Sequence, residues 1–411
     1  MHPKTQVSRI KASHMAGALS NLLVVDLSRV LAGPYASMIL GDFGADVIKV
    51  EQPGRGDDTR QWGPPFTPDG ESAYYLCVNR NKRSITLDLK TPGGQDVLRD
   101  LVRRGDVLIE NFRAGTMSKL GLGYEMLREI NPSLVYCAIT GYGQTGPYRD
   151  RPGYDAVIQA QGGIMSVTGA ADGEPYKVGV AIADIAAGLY AAISITTALY
   201  FRQHTGVGQH IDVALFDAQL SWLANVASAY LISGDLPKRF GNAHATIVPY
   251  QTIQTAYGWL VLAVGNDQQF ASLCRIVDHP EWSIDERFAT NPARVANREI
   301  LIPLLTEIFR TQQASCWINA LLAVGVPCGP VNNVPAALND PQTHARAMVQ
   351  IIEDAAGRKI PLVGPVPKLS ATPAQITATP PMLGEHTDQV LQGLLGYSDE
   401  RIAALRAARA I

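Results

Sequence analysis

Asp184 heads a long uncharged run: from Ile185 to Phe201 only Ser194, Thr196, Thr197 and two tyrosines are polar, and the run closes at Arg202, with Gly206 just beyond. This pattern predicts a buried helix with Asp184 as its N-cap. Two roles are open to that carboxylate. It can simply satisfy the first amides of the helix, or it can be held ionised at the positive helix end and used as a nucleophile.

Few other side chains compete for chemistry. Asp155, in Arg151-Pro152-Gly153-Tyr154-Asp155, is a second candidate base or nucleophile and equally a candidate cap for a helix starting at Ala156. Gly141-Tyr142-Gly143-Gln144-Thr145-Gly146-Pro147 makes a glycine-rich loop whose default role is a turn. Asn79-Arg80-Asn81-Lys82-Arg83-Ser84 brings three cations within four positions, a solvated surface or an anion site, with Lys90 and the start of the next helix as further donors. The eight histidines form no H-E-x-x-H or other ligand spacing, and neither a G-x-S-x-G elbow nor a Walker loop occurs. A carboxylate remains the best reactive group.

The whole chain sets the scale of its partner. With 411 residues, 46% hydrophobic and 18% charged, it is long enough for two or three compact units. A formal net charge of −2 provides no global field for nucleic acid or an anionic membrane, so a small molecule is the expected partner. The five cysteines are scattered and lack metal spacing, which reads as reduced core thiols of a cytosolic protein. The Asp184 run falls just short of a membrane span and carries Gly188 and hydroxyls, so a core helix is expected. Residues 1–15 carry Lys4, Arg9 and Lys11 but no apolar signal core; Ser13-His14-Met15 resembles a tag remnant, and a transit-peptide remnant fits equally.

The elements that must position these residues follow an α/β rhythm. Leu22–Leu27 and Val47–Val50 read as strands around a helix with Pro34 in its first turn and Gly44 at its end. Further strands are expected at 84–89, 106–110, 134–139 and 210–215, with a helix from Pro92 to Arg104 stopped by Gly105. Such alternation predicts a mostly parallel sheet, with ligands at the carboxyl ends of its strands. No G-x-G-x-x-G stands in the first turn, so a dinucleotide reading loses its support. After a helix at about 216–231, Tyr250–Thr255 and Trp259–Val264 predict a hairpin around Ala256-Tyr257-Gly258, followed by helices at 298–309 and 314–324. The expected organisation is a leader at 1–15, a large Rossmann-like domain at 16–215, a linker at 216–240, a small α+β domain at 241–330, and a linker plus C-terminal segment at 331–411. Within the last, 361–381 reads as extended and 398–408 as a short helix.

Taken together, Arg29-Val30-Leu31-Ala32-Gly33-Pro34, Gly44-Ala45-Asp46-Val47-Ile48-Lys49-Val50-Glu51, Asn81-Lys82-Arg83-Ser84, Glu110-Asn111-Phe112-Arg113, Gly141-Tyr142-Gly143, Thr205-Gly206-Val207-Gly208-Gln209, Gly329-Pro330-Val331 and Leu383-Gly384-Glu385-His386-Thr387 form a signature. The chain resembles the class III CoA-transferases, the CaiB/BaiF group, from about Leu22 onward. Each motif alone is weak; their number and order carry the resemblance.

The resemblance implies an interlocked homodimer and transfer of CoA from an acyl-CoA to a free carboxylic acid through an aspartate, which falls on Asp184. It places CoA contacts at Leu31 and Ala32, at Leu87, Asp88, Leu89 and Lys90, at Asn111, Phe112 and Arg113, at Lys119, and at Tyr154 and Asp155. Gly241-Asn242-Ala243-His244 is the candidate loop for oxyanion donors. CoA and acyl-CoA enter as substrates, with no tightly bound cofactor and no metal, and with no nucleic-acid or membrane partner. A cytoplasmic location is expected, or a mitochondrial matrix if the source is eukaryotic. Gln52 replaces an arginine that formyl-CoA transferase has at the nucleotide, and Ala114 replaces a proline common after Asn-Phe-Arg. The racemase branch pairs its aspartate with a histidine where this chain has Tyr154. A phenol ordinarily titrates near pH ~10, too high for an α-proton base, which favours transfer over racemisation. The expected reaction is CoA transfer from succinyl-CoA to a dicarboxylate. A 2-methylacyl-CoA racemase and a silent CoA-binding homologue are the alternatives.

Overall fold

A computed structural model describes residues 17–354 and 356–411; the expected leader lies outside the described residues. The chain divides into two compact units, 17–162 with 179–224 and 342–411, and 163–178 with 225–341.

The first unit is built on six strands: β1 (Leu23–Asp26), β2 (Asp46–Glu51), β3 (Lys82–Thr86), β4 (Val107–Glu110), β5 (Val135–Thr140) and β6 (His210–Ala214). All neighbours pair in parallel, in the order β3-β2-β1-β4-β5-β6. This is the Rossmann order, which reverses direction between β1 and β4. Alternation along each strand feeds two cores. Val25, Ile48, Leu108 and Tyr136 pack with α2 (Pro92–Arg104), whereas Val24, Val47, Val107 and Val135 pack with α1 (Ala32–Asp42) and a 24-residue helix, Ile182–Thr205.

Local signals fix α2 cleanly. Thr91 accepts a hydrogen bond from the Gly94 N–H, Pro92 occupies the first turn, and Gly105 ends the helix. β3 begins two residues earlier than expected, because Lys82 and Arg83 extend it as strand residues. The reason is burial: the Lys82 ammonium meets Asp26 at 3.2 Å, with both side chains out of solvent. Arg80 likewise pairs with Asp42, and Arg83 with Asp46. Of the two readings open for 79–84, solvated surface or anion site, the structure shows neither: each of the three cations is committed to a carboxylate.

The C-terminal residues of this unit return to its edge. Strands β10 (Val349–Glu353) and β11 (Lys359–Val363) form a hairpin, and no helix or strand interrupts 364–386. The helix Asp399–Ala407, capped by Ser398, packs Ile402 into the α2 side of the core. Two helices, Leu215–Ser221 and Ala224–Ser233, occupy most of the stretch expected as a linker.

The second unit has an antiparallel sheet ordered β7-β8-β9, from Tyr250–Gln254, Trp259–Ala263 and Cys328–Pro330. Helices Asp267–Ile276, Arg298–Phe309 and Ala314–Ala323 pack around Leu260, Leu262, Phe270, Leu305 and Trp317. This is the hairpin-plus-helices pattern read from the sequence.

Candidate active site

The Asp184 helix sets the geometry. It spans Ile182–Thr205 and starts one turn before the expected point: Ala181 is the N-cap, and Asp184 is the third helical residue. Ala181 has no side chain with which to cap. Asp155, at the start of α3 (Asp155–Gln161), supplies the acceptor instead; its Oδ1 takes the Ala183 N–H at 2.8 Å and the Asp184 N–H at 3.4 Å. The capping role expected for Asp184 thus belongs to Asp155, leaving the Asp184 carboxylate uncommitted to its own helix.

That carboxylate is also not held in its ordinary acid range. Burial, and then the neighbouring Asp155 charge, push its pKa up to about 7, outweighing the favourable helix terminus. Burial and Asp155 therefore work against the ionised form that the helix end favours. Tyr74, which sequence reasoning missed, shares a small apolar cluster with Ala181 and Ile185. Burial, then the Asp184 charge, push its phenol up to about 12, so it stays protonated and able to donate. The motif Ser72-Ala73-Tyr74-Tyr75 carries no pattern that would have marked it.

Asp184 lines a cleft of about 200 Å³ together with Arg29, Leu31, Asn111, Arg113 and Tyr154. Its walls come from the residues that follow β1 and β4, the two strands between which the sheet order reverses, and from the end of β5 and the loop after it. Crevices at such switch points are where ligands bind in open parallel sheets. Leu31 and Ala32 line the cleft at the start of α1, whose N-terminus has no side-chain cap. Phe112 also lines the cleft, and the Phe112 N–H is fixed by Glu110 at 2.7 Å, whose carboxyl burial pushes up to about 7. Asn111 is engaged by protein: it accepts the Arg29 N–H at 2.8 Å and donates to the Arg29 carbonyl at 2.6 Å.

The other expected contacts lie elsewhere. Leu87 is core, Asp88 donates its N–H to the Ala410 carbonyl, Leu89 is half-buried, and Lys90 is exposed on the turn into α2. Lys119 is exposed at the end of a short helix, Thr116–Lys119. Asp155 does not border the cleft but steers the helix that does. Gly241-Asn242-Ala243-His244 belongs to the second unit. There the Gly241, Ala243 and His244 N–H groups bond the carbonyls of Gly169, Phe240 and Tyr250, leaving Asn242 as the loop's amide without a backbone acceptor among the described residues. No cluster of three metal-ligating side chains occurs among the described residues. The helix Ile182–Thr205 is long and apolar enough to cross a membrane by length and composition, with half of its apolar window buried.

Residues 19–387 match the model of CoA-transferase family III. The chain belongs to that family. This family III CoA-transferase is 44% identical over 406 residues to human succinyl-CoA:glutarate CoA-transferase, covering 99% of this chain and 91% of the relative. It is 50% identical to succinate–glutarate CoA-transferase of Agrobacterium fabrum, covering 92% of this chain and 95% of the relative. Among solved structures, a CaiB/BaiF family protein from Brucella suis is 48% identical, covers 93% of this chain and all of its own, and superposes with a TM-score of 0.84. The family III enzyme therefore acts on CoA thioesters and carboxylates, and the α/β architecture above is the family's.

Proposed function

We propose that this enzyme moves CoA from succinyl-CoA to a second dicarboxylic acid through a covalent thioester on Asp184. The observation that carries the reading is the placement of Asp184: a carboxylate free of its own helix cap, in a cleft at the sheet's switch point. The relatives named for succinyl-CoA and glutarate, at 44% and 50% identity, supply the substrate class. Others named for D-citramalate and mesaconate, at 37% and 38%, keep the acceptor within short dicarboxylates.

In this scheme an Asp184 oxygen attacks the thioester carbonyl carbon, and the CoA thiolate leaves, giving a mixed anhydride. The thiolate then attacks the aspartyl carbonyl of the anhydride, expelling succinate and leaving an aspartyl-CoA thioester. The acceptor carboxylate attacks that carbonyl and expels the CoA thiolate, giving a second mixed anhydride; the thiolate then attacks the acceptor's acyl carbon, releasing the new acyl-CoA and the Asp184 carboxylate. Each step exchanges one acyl bond for another, so the thioester bond energy is kept. The ionised form of Asp184 is the nucleophile, and Tyr74 is a neutral donor beside it. A family homodimer and a cytoplasmic setting belong to the same proposal.

Two measurements test it. Intact-protein mass after incubation with succinyl-CoA alone should show a CoA adduct in the wild type and none in Asp184→Ala. Asp184→Ala should also abolish transfer to a panel of free acids while still binding CoA. Unchanged turnover in that variant would sink the mechanism, and exchange of the α-proton of a 2-methylacyl-CoA without any transfer product would favour a racemase.

A further inference from the structure

Val30 lies in the left-handed region, at φ +71°, one residue before the N-cap of α1 and lining the Asp184 cleft. A β-branched residue rarely adopts this conformation, and it persists only where the surroundings over-determine it. Here the determinant is Asp57. Its carboxylate takes the Val30 N–H at 3.2 and 3.3 Å with its two oxygens. The same carboxylate is anchored by Lys49 at 2.8 Å and by the Thr59 N–H and hydroxyl at 3.0 and 2.8 Å. Lys49 in turn donates to the Ser28 carbonyl at 3.0 Å, so the pair grips the segment on both sides of Arg29. Both charged side chains are fully buried, and neither lines the cleft.

We infer that Asp57, anchored by Lys49, is a positioning residue for transfer: it holds Val30 left-handed and so sets where Leu31 and Ala32 stand across from Asp184. Structural burial alone would not require the arrangement. Glycine would meet this φ without a buried ion pair to enforce it. Misplacement of the segment disturbs alignment at the reacting carbon more than overall CoA affinity, because reaction rate depends steeply on orientation.

The inference rests on Asp184 as the reacting carboxylate. All four groups that meet Asp57 are donors, so the amide of Asp57→Asn must turn its NH2 toward one of them. The expected result for Asp57→Asn is a fall in kcat of at least 30-fold, with KM for succinyl-CoA within about threefold of wild type. Adding Val30→Gly to that variant should restore kcat at least tenfold, since glycine reaches φ +71° unaided. A merely structural Asp57 gives no such rescue, because glycine only loosens the chain further. Val30→Pro provides a version with the ion pair untouched: it forbids the positive φ and removes the N–H, and should lose kcat to the same extent. The inference is overturned by wild-type kcat in Asp57→Asn or Val30→Pro, or by a double variant no faster than Asp57→Asn. Asp184→Ala run alongside separates the two readings. Residual turnover there removes the nucleophile assignment, while the rescue pattern is still read from the Asp57 and Val30 variants.

Discussion

Asp184 sits between opposing influences: a helix terminus that favours its charge, and burial and Asp155 that oppose it. Because the ionised form is the nucleophile, kcat/KM should rise about tenfold per pH unit up to about pH 7 and then level. Asp155→Asn keeps an oxygen acceptor for the Ala183 N–H but removes the neighbouring charge. The acid limb of the profile should therefore move to lower pH, by about half a unit to one unit on the scale of such charge pairs. A limb that stays in place would show that burial alone sets the titration. The sequence marks Asp184 because a lone carboxylate before an apolar run is a local pattern. It hides Asp155 as the cap, since that contact joins residues 28 positions apart through the fold. The partners of the three cations at 80–83 are hidden for the same reason: Asp42, Asp26 and Asp46 all come from earlier elements.

At the scale of elements, the Asp184 helix is fixed by its crossing with α1. A Cβ on Gly188 would stand 2.6 Å from the Ala32 carbonyl oxygen, so only glycine admits this approach. Gly188→Ala should destabilise the protein by about 1–3 kcal/mol, as overpacking against backbone does, and lower kcat by displacing Asp184, which lies one turn away. Urea denaturation with parallel kinetics checks both effects. Elements whose ends carry their own punctuation were legible: α2 between Thr91-Pro92 and Gly105, the β7–β8 hairpin about Gly258, and the helix capped by Ser398. The strand at β3 was legible but its start was not, because its first residues are a lysine and an arginine, and only the buried Asp26 makes that lysine compatible with a strand interior.

The first unit is assembled from three separate lengths of chain, and its last length closes contacts with its first. Ser84 accepts the Gly384 N–H with its hydroxyl and the His386 N–H with its carbonyl, Asp88 donates to Ala410, and Ile402 is buried beside α2. Ile402→Ala should therefore cost about 2–5 kcal/mol although it lies far in sequence from the strands it supports, and a urea titration reads this directly. The same return governs how the enzyme is made. Residues 17–162 leave the ribosome with their sheet edge and one apolar face still waiting for residues near 384–410, and the whole intervening second unit emerges before those arrive. Domains that are continuous in sequence close as they are synthesised. This one is completed only by its last length, so its yield should depend on chaperone capacity more than the stability of the finished protein would suggest, which expression with and without added chaperones checks.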